Sequence, residues 1–285
     1  MNKFGIMQGR LLPKFNNLYQ AHPVDYWQDE FYIAKDLGLE VIQFILDYNL
    51  SLKNPLFYKG GIDEIKSHID ESGVIVDSIC ADYFMVGPIH SNDPTESNKS
   101  LKVLEKLIVN SSEIGVNDII IPCVDQSSLN NNESKDLLIK NLSKILFFLD
   151  KYDTNLSLET DLPPREFIEL ISQFDSQKIK INYDTGNSAA LGFSVEEELD
   201  IYGEHISNVH IKDRRLNEGP CMLGDGDVKF TTFFNKLSNI DYKGSIIFQA
   251  FRDNEGVEVF KKQYDWLKPL ICNYNEIKRK QNDKN

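Results

Sequence analysis

Short runs of β-branched and other apolar residues alternate along the chain with longer segments in which apolar residues recur three and four apart, the periods of strand and helix respectively. The strand-like runs fall at residues 4–8, 41–46, 75–80, 118–123, 156–160, 179–184, 206–212 and 245–250. The helix-like segments fall at 25–37, 62–72, 96–114, 133–151, 164–173, 195–202, 230–237 and 257–270. Each strand is therefore followed by one helix, with a repeat of roughly 30–36 residues, a supersecondary period. Helix ends carry their usual chemistry: Pro94-Thr95-Glu96 opens the third helix, and Gly38, Gly73 and Gly115 lie just past the ends of the first three. No shift in composition marks a linker. Eight evenly spaced βα units favour a closed (β/α)8 TIM barrel over a doubly wound sheet, because connections are short and right-handed and the eighth strand can pair with the first.

A chain of 285 residues fits one such barrel, which commonly takes about 250 residues. We expect a single barrel domain over residues 1–272, with 273–285 a polar C-terminal tail that is either a frayed end or the last turn of a helix. With 41% hydrophobic and 26% charged residues, the composition is that of a soluble globular protein, and no stretch approaches the roughly 20 apolar residues of a membrane span. The N-terminal segment loses its apolar character too early for a secretory signal, so a cytoplasmic protein is expected. Cys80, Cys123, Cys221 and Cys272 form no C-x-x-C pair and suggest neither a zinc knuckle nor a disulfide framework. A formal charge of -13, with the one dense basic run at Lys278-Arg279-Lys280, argues against a nucleic-acid partner.

In barrel enzymes the chemistry sits at the C-terminal ends of the strands, and there this chain places its polar residues. Gln8 and Arg10 end the first strand, Gln43 and Asp47 the second, Cys80 and Asp82 the third. Glu159 ends the fifth, Asp184 and Asn187 the sixth, His210 and Lys212 the seventh, Gln249 and Arg252 the eighth. Residues two apart in a strand share a face. If Leu158, Tyr183, Val209, Ile211 and Phe248 face the helices, then Glu159, Asp184, His210 and Gln249 face the barrel axis together. Two carboxylates, an imidazole and an amide oxygen form a mainly oxygen donor set, suited to Mn²⁺, Mg²⁺ or Co²⁺ more than to Zn²⁺.

The segments Gly5-Ile6-Met7-Gln8-Gly9-Arg10, Tyr183-Asp184-Thr185-Gly186-Asn187 and Val209-His210-Ile211-Lys212-Asp213-Arg214, followed by Leu223-Gly224-Asp225-Gly226, resemble the xylose-isomerase-like barrel superfamily, in particular its sugar phosphate isomerase/epimerase branch. The resemblance spans nearly the whole chain. It implies Glu159, Asp184 and His210 as metal ligands after strands five, six and seven, and a homo-oligomer, since relatives are often dimers or tetramers. The fourth ligand departs from the pattern: Gln249 stands where the family usually has Glu. A glutamine can coordinate through its carbonyl oxygen but cannot act as a base near neutral pH. Two-base epimerases of the family use both glutamates, on opposite faces of the substrate, so the change favours one-base aldose–ketose isomerisation.

The expected reaction on a sugar or sugar phosphate is removal of the α-proton by Glu159 and formation of an enediolate, with a divalent metal stabilising the developing charge. Lys212 is expected to donate to the oxyanion or to pair with Asp161 or Asp184. Gln8, Arg10, Gln43, Asp82, Asn187 and Arg252 are candidate substrate contacts; the two arginines suit a phosphate or carboxylate, although both read more readily as loop anchors. Gly224 and Gly226 lie where barrels often bind phosphate through backbone N–H groups, or else form a tight turn. Taken singly, Glu159 or Asp184 would more often cap a helix or pair with a base; His22, His68, His90 and His205 are read as structural. Segments 47–61 and 85–94 are the expected substrate-covering loops. Alternatives are a metal-dependent dehydratase of the inosose dehydratase type and a sugar-binding barrel that has lost catalysis.

Overall fold

Eight parallel strands close on themselves in the computed structural model, which describes residues 2–240 and 242–282. They are β1 (Phe4–Met7), β2 (Val41–Ile45), β3 (Ser78–Cys80), β4 (Asp118–Cys123), β5 (Asn155–Thr160), β6 (Ile179–Asp184), β7 (Ile206–Ile211) and β8 (Ile246–Phe248). Each pairs with its sequence neighbours, and β8 pairs with β1, which gives a single (β/α)8 TIM barrel. A two-residue antiparallel hairpin, Asp213–Arg214 with Pro220–Cys221, rises from the end of β7.

The alternation along each strand divides the apolar residues into two clusters. Leu158, Tyr183, Val209, Ile211 and Phe248 belong to the large layer between barrel and helices, while Met7, Val41, Ile45, Cys80, Ile120 and Ile247 form a small cluster inside the barrel. The rest of the interior is polar: Gln43, Ser78, Ser157, Asn182, Asn208 and His210 are all buried and hydrogen-bonded to one another or to neighbouring strands. Such groups are tolerated inside because each finds a partner.

Several elements differ from their sequence-based bounds. The third strand is shorter than residues 75–80: Ile75 makes one isolated bridge to Val41 before the regular ladder begins at Ser78. The segment 133–151 is two helices, Asn132–Leu142 and Leu146–Tyr152, broken around Ser143–Ile145. A helix with no counterpart in the periodicity, Thr185–Leu191, follows β6 directly. Residues 273–282 are not a loose tail. The last helix runs from Val257 to Asn282, the Tyr274 ring is buried against the barrel, and its hydroxyl donates to Asn2 Oδ1 at 2.7 Å. One buried aromatic is enough to anchor the end of an otherwise polar helix. Residue 1 and residues 283–285, at the two ends of the expected division, lie outside the described residues. Among the described residues, no helix is long and apolar enough to cross a membrane.

Candidate active site

Glu159, Asp184 and His210 come together at the C-terminal mouth of the barrel, with one ligand atom of each within 4.8 Å of the others. Strand pairing is the cause: Asp184 is the register partner of His210 across β6–β7, and His210 that of Ile247, two residues before Gln249 on the same face of the next strand. All four are buried.

The hydrogen bonds around His210 fix which nitrogen faces the site. Gln43 donates through Nε2 to Ser78 Oγ at 2.9 Å and Asn208 Oδ1 at 3.1 Å, so its Oε1 is the acceptor that meets His210 Nε2 at 2.7 Å. His210 therefore carries its proton on Nε2, and its Nδ1 is an acceptor that receives Asn182 Nδ2 at 3.0 Å. His210 Nδ1 lies 3.4 Å from Glu159 Oε2. The Asn182 amide bridges the two acceptors, donating to Glu159 Oε2 at 2.7 Å and to His210 Nδ1 at 3.0 Å, and a cation held by both atoms would take the place of that bridge. The Gln249 carbonyl oxygen is also buried and without a partner, while its Nε2 donates to Gln20 Oε1 at 2.9 Å. The donor set thus fits a divalent metal held by Glu159, Asp184, His210 Nδ1 and Gln249 Oε1.

Each carboxylate also has a structural task. Asp184 Oδ1 caps the helix Thr185–Leu191 by accepting from Asn187 N at 2.9 Å, while Oδ2 meets Lys212 Nζ at 3.2 Å. Glu159 accepts from Asn182 Nδ2 at 2.7 Å and from Asn187 Nδ2 at 2.6 Å. Burial acts to raise the Glu159 carboxyl, while the Lys212 ammonium and the Asn182 N–H group act against it and favour the ionised form. Lys212 also reaches Asn187 Oδ1 at 3.1 Å; of its two expected partners, it chooses Asp184 rather than Asp161.

A cavity of about 300 Å³ opens over this cluster, and Arg10, Asp82, Asn187, Lys212 and Gln249 line it with Glu159. Three expected substrate contacts lie elsewhere. Gln43 sits one layer deeper as the partner of His210. Gln8 is fully buried, its Oε1 accepting from Ile45 N at 3.0 Å and meeting His22 Nδ1 at 2.9 Å. Arg252 is a loop anchor: Nη1 and Nη2 donate to Gly9 O and Leu12 O, both at 2.6 Å, and Nε to Asp253 O at 3.2 Å. The Gly224 and Gly226 amides face inward too, donating to Asp213 Oδ2 at 2.8 and 3.0 Å. They form a turn around that carboxylate, and their N–H groups are already taken.

The sequence reading missed Asn182, which holds Glu159, and Gln20, which joins Gln249, Arg10 and Asp82. Asn182 had a signal, since it shares strand parity with Asp184. Gln20 had none, because it comes from the loop after β1.

Residues 31–270 match the xylose isomerase-like TIM barrel family, and the chain belongs to it. An L-ribulose-5-phosphate 3-epimerase of Escherichia coli is 24% identical over 259 residues, covering 86% of this chain and 90% of that protein. Among solved structures, an L-ribulose 3-epimerase superposes with a TM-score of 0.75 at 16% identity, over 99% of this chain and 97% of that one. The IolI protein, solved with a zinc atom bound, superposes with a TM-score of 0.76 at 13% identity, over 95% of this chain and 99% of that one.

Proposed function

We propose that this protein is a divalent-metal-dependent epimerase or isomerase of a sugar or sugar phosphate, acting by α-proton abstraction through an enediolate. The observation that carries the reading is the convergence of Glu159, Asp184 and His210 within 4.8 Å of one another, with the buried Gln249 carbonyl oxygen free to join them. The epimerases among its relatives and the zinc atom of the IolI structure support the same class.

A bound metal would supply Lewis-acid stabilisation of charge developing on the substrate carbonyl. Glu159, kept ionised, takes the proton from the carbon beside that carbonyl. Asn182 and Asn187 hold its two oxygens and so fix the face from which it works. Lys212 places an ammonium on the wall of the cavity, where it supports the oxyanion. Gln249 cannot exchange protons on the opposite face, so a one-base transfer between adjacent carbons fits the cluster directly. Epimerisation would need a second acid, and Asp82, a partly buried carboxyl raised above its usual range mainly by desolvation and lining the same cavity, is a group that could serve.

The test is incubation of the Mn²⁺-loaded protein with D-fructose, L-ribulose and their phosphate esters in D₂O, with mass and NMR analysis. The reading expects metal-dependent deuterium gain at the α-carbon, abolished in Glu159→Gln. Loss of water from the substrate would instead assign a dehydratase.

A further inference from the structure

A second cavity of about 480 Å³ continues from the first, sharing Gln20, Asp82 and Met85 with it. Its walls come from the loop after β1, which carries His22, from the two expected covering loops, which carry Asp47 and Tyr48 and then Met85 and Val86, and from Gln126 after β4. The combined space lies within the range of small-molecule sites and exceeds what a short carbon chain over Glu159 would need.

His22, Asp47 and Asp82 are among the polar residues that line this space, and each offers an acceptor. His22 Nδ1 donates to Gln8 Oε1, whose role as acceptor is fixed by Ile45 N. Burial pushes the His22 imidazolium down to about 3, so the ring is neutral and its Nε2 is a bare acceptor. That atom is buried and has no hydrogen-bond partner, and His22 is only 2% exposed. Asp47 and Asp82 add carboxyl oxygens. No lysine or arginine is among the described residues that line the cavity. Lys99, which meets the Tyr48 hydroxyl at 3.4 Å, lines a separate depression. Apolar surface from Phe15, Leu50, Met85 and Val86 completes the walls.

The groups that could have received a phosphate are engaged elsewhere. Arg252, Gly224 and Gly226 are spent on internal acceptors, and Arg10 gives Nη1 to Tyr19 O and Nη2 to Gln20 Oε1. Lys212 and Arg214, the latter giving Nε to Glu218 O and Nη1 to Asn187 Oδ1, line the first cavity and not the second.

We infer that the second cavity is a subsite for an uncharged, hydroxyl-rich part of the substrate, such as the tail of a free ketose or a glycosyl group attached to it, and that it rejects a phosphate there. Hydroxyls supply the donor that His22 Nε2 lacks and can reach the remaining lone pairs of Asp47 and Asp82, which already accept from His22 N and from Gln20 Nε2, and the apolar walls accept the C–H faces of a sugar. A phosphate dianion would meet two carboxyl groups and no cation. Burial pushes Asp47 up to about 7, which keeps its carboxyl partly protonated and makes a neutral ligand a better match than an ammonium. The inference rests on the function proposed above and chooses between that proposal's two substrate classes.

Calorimetric titration of the Mn²⁺-loaded full chain with matched pairs tests it: D-fructose against D-fructose 6-phosphate, and L-ribulose against L-ribulose 5-phosphate, with lactulose as a ketose bearing a distal sugar ring. The expected result is at least tenfold tighter binding of each uncharged ketose than of its phosphate, lactulose binding no weaker than D-fructose, and a gap that shrinks at least threefold in Asp47→Asn. Asp82→Asn, read by binding alone, is the second variant should the first fail to fold. Phosphate esters binding as tightly as the free sugars, a gap unchanged in both variants, or tighter binding of 6-amino-6-deoxy-D-fructose would overturn the subsite. If the binding gap appears without deuterium exchange, the proposed reaction fails and the subsite stands; if no ketose binds, both fail.

Discussion

Replacing Gln43 by Leu tests whether the barrel interior sets the ligand form of His210. Gln43 is fully buried, and its Oε1 is the acceptor at 2.7 Å that holds the proton on His210 Nε2. Without it, a buried N–H loses its partner, which costs about 1–3 kcal/mol. The imidazole can then relieve that cost by moving its proton to Nδ1, the atom needed for the metal. Losing such an orienting partner typically weakens metal binding about 10–100-fold, or about 1.4–2.7 kcal/mol. Mn²⁺ affinity, measured by calorimetry on protein shown to be folded by circular dichroism, is the assay. Ser78→Ala is the control: it removes another partner of Gln43 and leaves the His210 contact in place, so its affinity should stay within about threefold of wild type, less than 1 kcal/mol. A folded Gln43→Leu protein that binds Mn²⁺ like wild type would refute the assignment of Nδ1 as the ligand atom.

Three further outcomes follow from the same geometry. Burial pushes Asp118 up to about 7, with one carboxyl oxygen lacking a partner; because the native state holds this proton and the unfolded chain releases it near 3.8, the associated stability is full at low pH and is lost as pH rises through 7. Urea unfolding between pH 5 and 8 should therefore show a decline that Asp118→Asn reduces by up to about 1.4 kcal/mol per pH unit, and an unchanged slope would contradict this. Arg252→Ala removes charged hydrogen bonds to Gly9 O and Leu12 O and should cost about 3 kcal/mol of stability, yet leave Mn²⁺ affinity within about twofold, well under 1 kcal/mol; a selective loss of metal or substrate binding at unchanged stability would restore Arg252 to the site. Gln249→Glu adds an anionic ligand and should tighten Mn²⁺ binding by at least about tenfold, roughly 1.4 kcal/mol, whereas unchanged affinity would place residue 249 outside the metal's reach.

The barrel was legible because each strand carries its own period and the first three helices their own glycine stop, so eight units could be counted without any long-range information. Strand parity further separated Leu158, Tyr183, Val209, Ile211 and Phe248, now in the layer facing the helices, from the ligand-bearing positions. What parity could not supply was depth. Gln43 points inward but lies below the cavity floor, and a strand pattern does not say which inward layer is the last one before solvent; Gln8 has the parity of Ile6, which belongs to the helix-facing layer, and is engaged there by His22. Loop chemistry was equally hidden. Arg252, Gly224 and Gly226 carry groups suited to a phosphate, and only the fold reveals that backbone carbonyls and Asp213 already engage them. His22 looked structural for a similar reason: its burial and open Nε2 depend on Gln8 and Ile45, which are distant in sequence.

The most direct test of the account is the stoichiometry and affinity of Mn²⁺ binding to the metal-stripped protein, with Glu159→Gln and His210→Ala titrated in parallel. One Mn²⁺ per chain, with affinity lowered in both variants, is the predicted result. Failure of the wild-type chain to bind Mn²⁺, Mg²⁺, Co²⁺ or Zn²⁺, or binding that survives both substitutions unchanged, would contradict it.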